Sequence, residues 1–301
     1  MKIIFVHGVG QTNKDPDTLK KTWVNSFMEG VYQAKIPDMT TKTKIEFVYY
    51  GDIVNENLNE DSSDKKLYDL QTSGLHAITL NSSDLSLDEQ EVLVSIADSI
   101  DGGDVEDISE LYKTDLAYDA LGMKMFGPFN RGMKAIIKIT KHFEKLHSKA
   151  LKFFAKEASL FLNNDVYRSK VRKRLLDKIL DEPDEEIILV GHSLGSVVCL
   201  ETLHHLGSKV SIARFVCIGS PLGTPIFHKF FKNKAKPEAL KGDWFNIYDV
   251  DDFVSSFLLT NPPYQVIPKI INVEAKTKYF QAHHITGYLD DAIVAKKILG
   301  V

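Results

Sequence analysis

Short apolar runs alternate with helical patterns along this chain of 301 residues. A strand covered by helices on both faces has no polar side, so it reads as a nearly continuous apolar run. Such runs occur at residues 2–6, 44–50, 187–190, 212–218 and 244–248. Apolar residues at helical spacing occur at 19–32, 165–180, 194–206 and 289–299. The alternation predicts an α/β protein with a mostly parallel sheet flanked by helices.

A long stretch between the second and third predicted strands exceeds what a minimal α/β sheet requires. We expect one domain over 1–301, with 55–162 forming a helical insertion within it, a candidate lid. Inside the insertion, the pattern predicts one long helix over 133–162. Its apolar stripe comprises Ile136, Ile139, Phe143, Leu146, Ala150 and Phe153. A second stripe comprises Lys134, Lys138, Lys141, Lys145, Lys149, Lys152 and Lys156.

The helix over 133–162 has two interpretations. In the first, it is a surface helix whose apolar stripe packs on the core while the lysines face water. In the second, it is a lid or interfacial helix that makes a peripheral contact with anionic lipid.

The motif Gly-His-Ser-Leu-Gly lies between the predicted strand 187–190 and the predicted helix 194–206. Strand, tight turn and helix together predict a nucleophile elbow, with Ser193 at the turn. Side chains at Gly191 and Gly195 would collide with the neighbouring strand and helix. The Leu194 amide, at the helix N-terminus, can then stabilise negative charge beside Ser193. The alternative is a structural turn whose serine has no chemical role.

The loop after the first strand begins His-Gly-Val-Gly and has three interpretations. A Walker loop is excluded because no Gly-Lys-Ser/Thr follows. A dinucleotide-binding fingerprint is excluded because Asn13 stands where the third glycine is needed. The remaining interpretation is an oxyanion loop that donates a backbone N–H. We expect the Val9 amide to be that donor, with Gly10 as the alternative, paired with Leu194.

A serine nucleophile needs an imidazole to take its proton and a carboxylate to orient the imidazole. In the elbow arrangement these follow the serine in the order Asp/Glu, then His. The chain supplies an acidic cluster after the strand 244–248 and the pair His283 and His284 near its end. The acidic cluster comprises Asp249, Asp251 and Asp252. The pattern alone does not show which of the aspartates, or which of the two histidines, would act with Ser193.

Composition narrows the classes of partner. The net charge of −4 does not suggest nucleic acid. No histidine shows metal-ligand spacing, and triad chemistry requires neither a metal nor a cofactor. The chain has neither a signal-peptide pattern at its start nor an apolar run long enough to span a bilayer, so we expect a cytoplasmic protein. Signal-independent secretion is the alternative.

These motifs together resemble those of proteins with the α/β-hydrolase fold. More narrowly, they resemble those of a group of lipase- or esterase-like serine hydrolases. That group carries His-Gly-x-Gly after its first strand, then Gly-His-Ser-Leu-Gly-Ser and a Gly-Ser-Pro-Leu-Gly loop. It continues with Trp-x-Asn-x-x-Asp-x-x-Asp-Pro-Val and a late His before Tyr. These motifs match here at 7–10, 191–196, 219–223, 244–254 and 283–288, with Phe253 in place of the proline. Residues 55–162 lie outside the resemblance.

The resemblance implies roles for the acid and the base. The group's catalytic carboxylate precedes Pro-Val, which implies Asp252, with Asp249 as the alternative. The late histidine implies His284 ahead of Tyr288, with His283 as the alternative. The implied function is hydrolysis of a carboxylic ester, either a small ester or a lipid, through an acyl-enzyme intermediate. The alternatives are an acyltransferase with the same triad and a catalytically inactive binding protein.

Overall fold

A computed structural model describes residues 1–36, 43–57, 85–100, 148–182, 186–277 and 282–301, together with 135, 136, 138–140 and 142. The described strands form one parallel sheet of six strands in the order β2-β1-β3-β4-β5-β6. Their bounds are β1 Lys2–Val6, β2 Lys44–Val48, β3 Ile187–His192, β4 Ile212–Ile218, β5 Trp244–Tyr248 and β6 Ile271–Glu274. Because all strands are parallel, their carboxyl ends meet at one edge of the sheet.

Helices cover both faces of the sheet. Those before β3 are α1 Pro16–Gln33, α2 Gly51–Asn57, α3 Leu87–Ile100, α4 Ser148–Asn163 and α5 Asp165–Leu180. Those after β3 are α6 Leu194–Leu206, α7 Pro225–Phe230, α8 Ile285–Leu289 and α9 Ala292–Leu299. A short 3₁₀ turn spans Pro221–Gly223. Along β1, Ile3 and Phe5 pack with α1, α8 and α9, while Ile4 and Val6 pack on the opposite face with α4, α5 and α6. The predicted class, a mostly parallel α/β sheet flanked by helices, is confirmed.

Several predicted boundaries differ from the observed ones. Helix α1 begins earlier than predicted because the Asp15 side chain accepts the Thr18 N–H and caps the helix, and Pro16 fits its first turn. Strand β2 ends at Val48, and Gly51 begins α2 rather than closing the strand. The predicted terminal helix 289–299 begins at Ala292, because Asp291 caps it by accepting the Ile293 N–H, and a separate short helix, Ile285–Leu289, precedes it.

Part of the predicted insertion is described. Residues 135, 136, 138–140, 142 and 148–163 are helical, whereas 143–147 lie outside the described residues, so continuity over 133–162 stays a prediction. The apolar-stripe residues Ile136, Ile139 and Phe153 are buried. Of the predicted lysine stripe, Lys138, Lys152 and Lys156 are described and are half-buried. In the part of the chain that is described, no helix combines the length and apolar character needed to cross a membrane.

Candidate active site

Ser193 occupies the turn between β3 and α6. Its backbone has φ 53° and ψ −130°, a conformation that non-glycine residues rarely adopt. The Ser193 N–H donates to the Ile218 carbonyl at 2.9 Å, which ties the turn to the end of β4. Strain of this kind is found at functional sites, where the surrounding structure holds it in place.

Three glycines allow the backbones around Ser193 to approach closely. A Cβ at Gly195 would overlap the carbonyl oxygens of Val6 and His7 at the end of β1, and one at Gly191 would lie 2.6 Å from the Ser196 Cα in α6. The predicted collisions with the neighbouring strand and helix are therefore confirmed. A Cβ at Gly8 would overlap the Ser193 side chain, so the loop after β1 lies directly against the serine.

The histidine beside Ser193 is His283. Its Nε2 lies 2.9 Å from the Ser193 Oγ, and its Nδ1 lies 2.9 Å from both carboxylate oxygens of Asp252. An ionised carboxylate only accepts hydrogen bonds, so Nδ1–H donates to Asp252 and Nε2 is left to accept the Ser193 hydroxyl proton. The three side chains form one continuous hydrogen-bonded chain.

His284, the histidine implied by the resemblance, lies elsewhere, and the structure corrects that choice. His284 is exposed, and its Nδ1 lies 2.7 Å from the Thr286 Oγ1. It is the N-cap residue of α8, so the backbone turns away there and the two adjacent histidine side chains diverge. Only the alternative histidine, His283, is hydrogen-bonded to Ser193.

Asp252 is the aspartate that the structure brings to His283. It is fully buried and also accepts the Val254 N–H at 2.9 Å, the Ser255 hydroxyl at 3.0 Å and the Tyr288 hydroxyl at 2.8 Å. Burial by itself would raise the Asp252 pKa, but the His283 ring and these hydrogen bonds outweigh burial and hold the pKa below its ordinary value. Asp252 is therefore an ionised, oriented partner at neutral pH.

The alternative aspartate, Asp249, has a different set of contacts. It accepts the Asp251 N–H at 2.9 Å and both the N–H and hydroxyl of Thr277 at 2.8 Å. These contacts join the end of β5 to the segment after β6. The third acidic residue of the cluster, Asp251, is exposed. The structure thus gives Asp249 a structural role in the loop.

His192 supports the backbone of His283. Its Nε2 lies 3.0 Å from the His283 carbonyl oxygen, and its ring packs 4.9 Å from the His283 ring and edge-on to Trp23. Burial, aided by the neighbouring His283 ring, holds the His192 pKa well below its ordinary value. The ring is therefore neutral and donates its Nε2–H to the carbonyl. His192 therefore contacts the backbone of the histidine that is hydrogen-bonded to Ser193.

The loop after β1 is held by a buried histidine. The His7 Nδ1–H donates to the Gly8 carbonyl at 2.7 Å, and Nε2 accepts the Tyr50 N–H at 3.0 Å. The Tyr50 ring stacks on the His7 ring at 4.0 Å, and its hydroxyl donates to the His7 carbonyl at 2.7 Å. Burial lowers the His7 pKa to about 3, so the ring stays neutral with both nitrogens satisfied.

The loop's two candidate amides have different surroundings. The Gly10 N–H donates to the Glu157 Oε1 at 2.8 Å, and the Val9 carbonyl accepts from the Gln11 Nε2 at 2.9 Å. Within the described ranges, the N–H groups of Val9 and Leu194 have no protein acceptor at hydrogen-bond distance. Glu157 was not predicted from the sequence. Its signal was a single acidic side chain on an otherwise apolar face of α4.

Residues with metal-ligating side chains do not gather elsewhere in the described ranges: no three of His, Cys, Asp and Glu are placed to hold an ion there. The site itself contains a serine, a histidine and an aspartate joined by hydrogen bonds. Such a chain activates a serine hydroxyl for attack on a carbonyl carbon.

The all-parallel sheet, the strand–turn–helix at Ser193 and the position of the site at the carboxyl ends of the strands define an α/β-hydrolase-like fold. Residues 159–274 match the family model of lecithin:cholesterol acyltransferase. The match spans fewer than half of the residues. It includes Ser193 and Asp252, but neither the loop after β1 nor His283. Curated proteins compared with the chain gave no match.

Proposed function

We propose that this protein is a serine hydrolase that cleaves carboxylic esters, with Ser193 as nucleophile, His283 as general base and Asp252 as the carboxylate that orients the base. The observation that carries the proposal is the hydrogen-bonded chain from the Ser193 Oγ through His283 to Asp252, with each contact at 2.9 Å. The similarity to an acyltransferase family supports the same class of chemistry.

In the first step, the Ser193 Oγ attacks the ester carbonyl carbon while its proton passes to the His283 Nε2. The former carbonyl oxygen becomes an oxyanion, and the ester bond then breaks. The leaving alcohol takes the proton from His283, and the acyl group remains on Ser193 as an ester. Asp252 remains ionised throughout and stabilises the imidazolium form of His283.

In the second step, water attacks the acyl-enzyme. His283 accepts the water proton as the oxygen bonds to the acyl carbon, and it returns that proton to the Ser193 Oγ as the acid leaves. Each step therefore moves one proton through the same Nε2 atom.

The oxyanion is assigned to the backbone N–H groups of Val9 and Leu194. Leu194 is the first residue of α6, where backbone N–H groups lack intrahelical acceptors. Val9 is favoured over Gly10 because the Gly10 N–H already donates to Glu157. Removal of a single donor from such a site lowers kcat by about a hundredfold to a thousandfold.

Acyl transfer to an alcohol is a second candidate function, favoured by the match to the lecithin:cholesterol acyltransferase family model. The acyl-enzyme would be the same, but an alcohol would replace water in the second step. Product analysis in the presence of a long-chain alcohol separates the two. Ester formed in excess of free acid supports transfer, whereas free acid alone supports hydrolysis.

A lipid or a small ester remains the proposed substrate class, and contact of the region 133–162 with anionic lipid remains a prediction. Two measurements address these points: turnover of p-nitrophenyl esters below and above their micelle concentration, and sedimentation with anionic vesicles. A rise in activity with micelles supports a lipid substrate and an opening insertion. A flat response supports a small soluble ester.

The decisive test is labelling with a fluorophosphonate probe, which reports an activated serine without knowledge of the substrate. Wild type should be labelled, Ser193→Ala and His283→Ala should not, and His284→Ala should retain the label. A wild type that is not labelled, with or without detergent, would support an inactive binding protein instead.

A further inference from the structure

A buried carboxylate from the insertion reaches the loop beside Ser193. Glu157 lies on α4 and is 1% exposed, and its Oε1 accepts the Gly10 N–H at 2.8 Å. Glu157 lies just outside the 159–274 range that matches the family model.

One peptide unit of the loop, between Val9 and Gly10, is held at both ends. Its N–H is bonded to Glu157, and its C=O is bonded to the Gln11 Nε2 at 2.9 Å. Gly10 has φ +73°, and glycine moves between backbone regions at little cost. The chain itself therefore does little to fix the orientation of this peptide, and the two side chains supply the constraint.

The orientation of this peptide matters because it adjoins the amide assigned to the oxyanion. The preceding peptide carries the Val9 N–H, and Gly8 lies against the Ser193 side chain. A change in ψ of Val9 that φ of Gly10 does not compensate displaces the loop relative to Ser193. A misplacement of about 1 Å at such a position can cost about a hundredfold in rate.

We propose that Glu157 is a positioning residue for the oxyanion loop. It holds the Gly10 N–H away from the reacting oxygen and fixes the loop so that the Val9 N–H is the loop's donor. The inference rests on the proposed function, because it assigns a partner to the same oxyanion site. It makes oxyanion stabilisation depend on a helix of the insertion.

Helix α4 also reaches the other side of the site. The Phe154 ring packs edge-on against Phe253 at 6.0 Å, and Phe253 in turn packs against the His283 ring at 5.5 Å. One helix thus contacts both the oxyanion loop and the surroundings of the base. This placement explains how a residue outside the triad can set the geometry of the reaction.

The experiment compares wild type with Glu157→Ala, Glu157→Gln and the control Ser159→Ala, using a water-soluble ester. Glu157→Ala should lower kcat by about tenfold to a hundredfold and change KM by less than about twofold, because the ground state does not use the oxyanion site. Glu157→Gln should recover most of kcat, since its amide oxygen can accept the Gly10 N–H. Ser159→Ala, on the same helix, removes only a contact with Asn163 and should behave as wild type.

A second readout isolates the oxyanion. A trifluoromethyl ketone forms a charged tetrahedral adduct with an activated serine, so its Ki should rise in Glu157→Ala by about the factor lost from kcat. If Glu157→Ala does not fold, Gln11→Ala tests the other end of the same peptide, with a smaller change expected in the same direction.

Unchanged kcat and Ki in both Glu157→Ala and Gln11→Ala, or an effect on KM alone, would overturn the positioning role. A loss of kcat in Glu157→Gln as large as that in Glu157→Ala would also overturn the positioning role. Failure of the proposed function is distinguishable, because it appears as a wild type without turnover or fluorophosphonate labelling. If wild type is fully active and the Glu157 and Gln11 variants have the same kcat and Ki as wild type, only the role of Glu157 is contradicted.

Discussion

The two sides of the candidate site are held in place by different means. The acid–base side, formed by Asp252 and His283, is held by residues close to it in the sequence: Val254, Ser255 and Tyr288 all donate to the Asp252 carboxylate. The loop assigned to the oxyanion, residues 7–12, is held by its own His7 and Gln11 and also by side chains from distant segments. Tyr50 follows β2, and Glu157 lies on α4.

This difference indicates which part of the site can vary independently. The hydrogen bonds to the side chains of Asp252 and His283 all come from residues 193–288, although Trp23 and Phe154 pack on the residues around them. The oxyanion loop depends on a helix outside the segment that matches the family model. For the proposed reaction, we therefore expect a change at Glu157 to weaken oxyanion stabilisation while the hydrogen bonds of Asp252 and His283 stay in place.

The largest expected effect comes from breaking the acid–base side at His283. His283→Ala should lower kcat by about 10⁴-fold or more, because the serine loses its base. His284→Ala is the matched control and should change kcat by less than about threefold, as for exposed positions generally. Steady-state ester hydrolysis measures both. Equal losses in the two variants would contradict the assignment of His283.

Tyr288→Phe tests how much Asp252 depends on its neighbours. It removes a hydrogen bond to a buried carboxylate, which is typically worth about 1.5–3 kcal/mol, and a contact with the Ser255 hydroxyl, so kcat should fall by about tenfold to a hundredfold. Tyr264→Phe is the control, because its buried hydroxyl donates to the Leu222 carbonyl, away from the triad. A loss of kcat in Tyr264→Phe as large as in Tyr288→Phe would show that the effect is not specific to Asp252.

His7 makes the free energy of unfolding of the protein depend on pH. Burial lowers its folded-state pKa to about 3, so the unfolded chain takes up the proton first as pH falls below about 6.5. Wild type should lose about 2 kcal/mol more free energy of unfolding between pH 7 and pH 5 than His7→Phe. Urea unfolding at the two pH values measures the difference. Equal losses in the two proteins would exclude a buried, neutral His7.

The smallest effect on catalysis is expected at Asp249. Asp249→Asn should change kcat by less than about threefold and cost about 1 kcal/mol of stability, because it weakens the contacts to Thr277. Asp252→Asn is the contrasting variant, with an expected loss in kcat of about 10⁴-fold. A large loss of kcat in Asp249→Asn would reverse the assignment of the two aspartates.

The sequence predicted the strands that are buried on both faces, because those strands leave continuous apolar runs. It did not predict β6, Ile271–Glu274, whose first and last residues are exposed at the edge of the sheet. Such a strand is defined by pairing with β5 and has no apolar run to reveal it. The break at Asp291 was also missed, because helix capping is set locally and the apolar spacing continues through it.

In the candidate site, the order Ser, Asp, His could be predicted from the sequence. The sequence could not decide whether His283 or His284 contacts Ser193. Two adjacent identical residues differ only in direction, and that direction is fixed by where α8 begins. Glu157 could not be paired with Gly10 from the sequence, because the contact joins residues 147 positions apart. Pairing of this kind depends on how the insertion packs on the sheet.

Ser193 is fully buried in this structure, and this has a consequence for kinetics. For the proposed reaction, an acyl donor must reach this covered hydroxyl, so we expect the observed acylation rate to equal the intrinsic rate multiplied by the fraction of molecules that expose Ser193. Reagents of increasing size should therefore react at rates that reflect this opening equilibrium as well as their own electrophilicity. The same covering should slow the reaction of Ser193 with unrelated electrophiles and also its encounter with the proposed ester substrate.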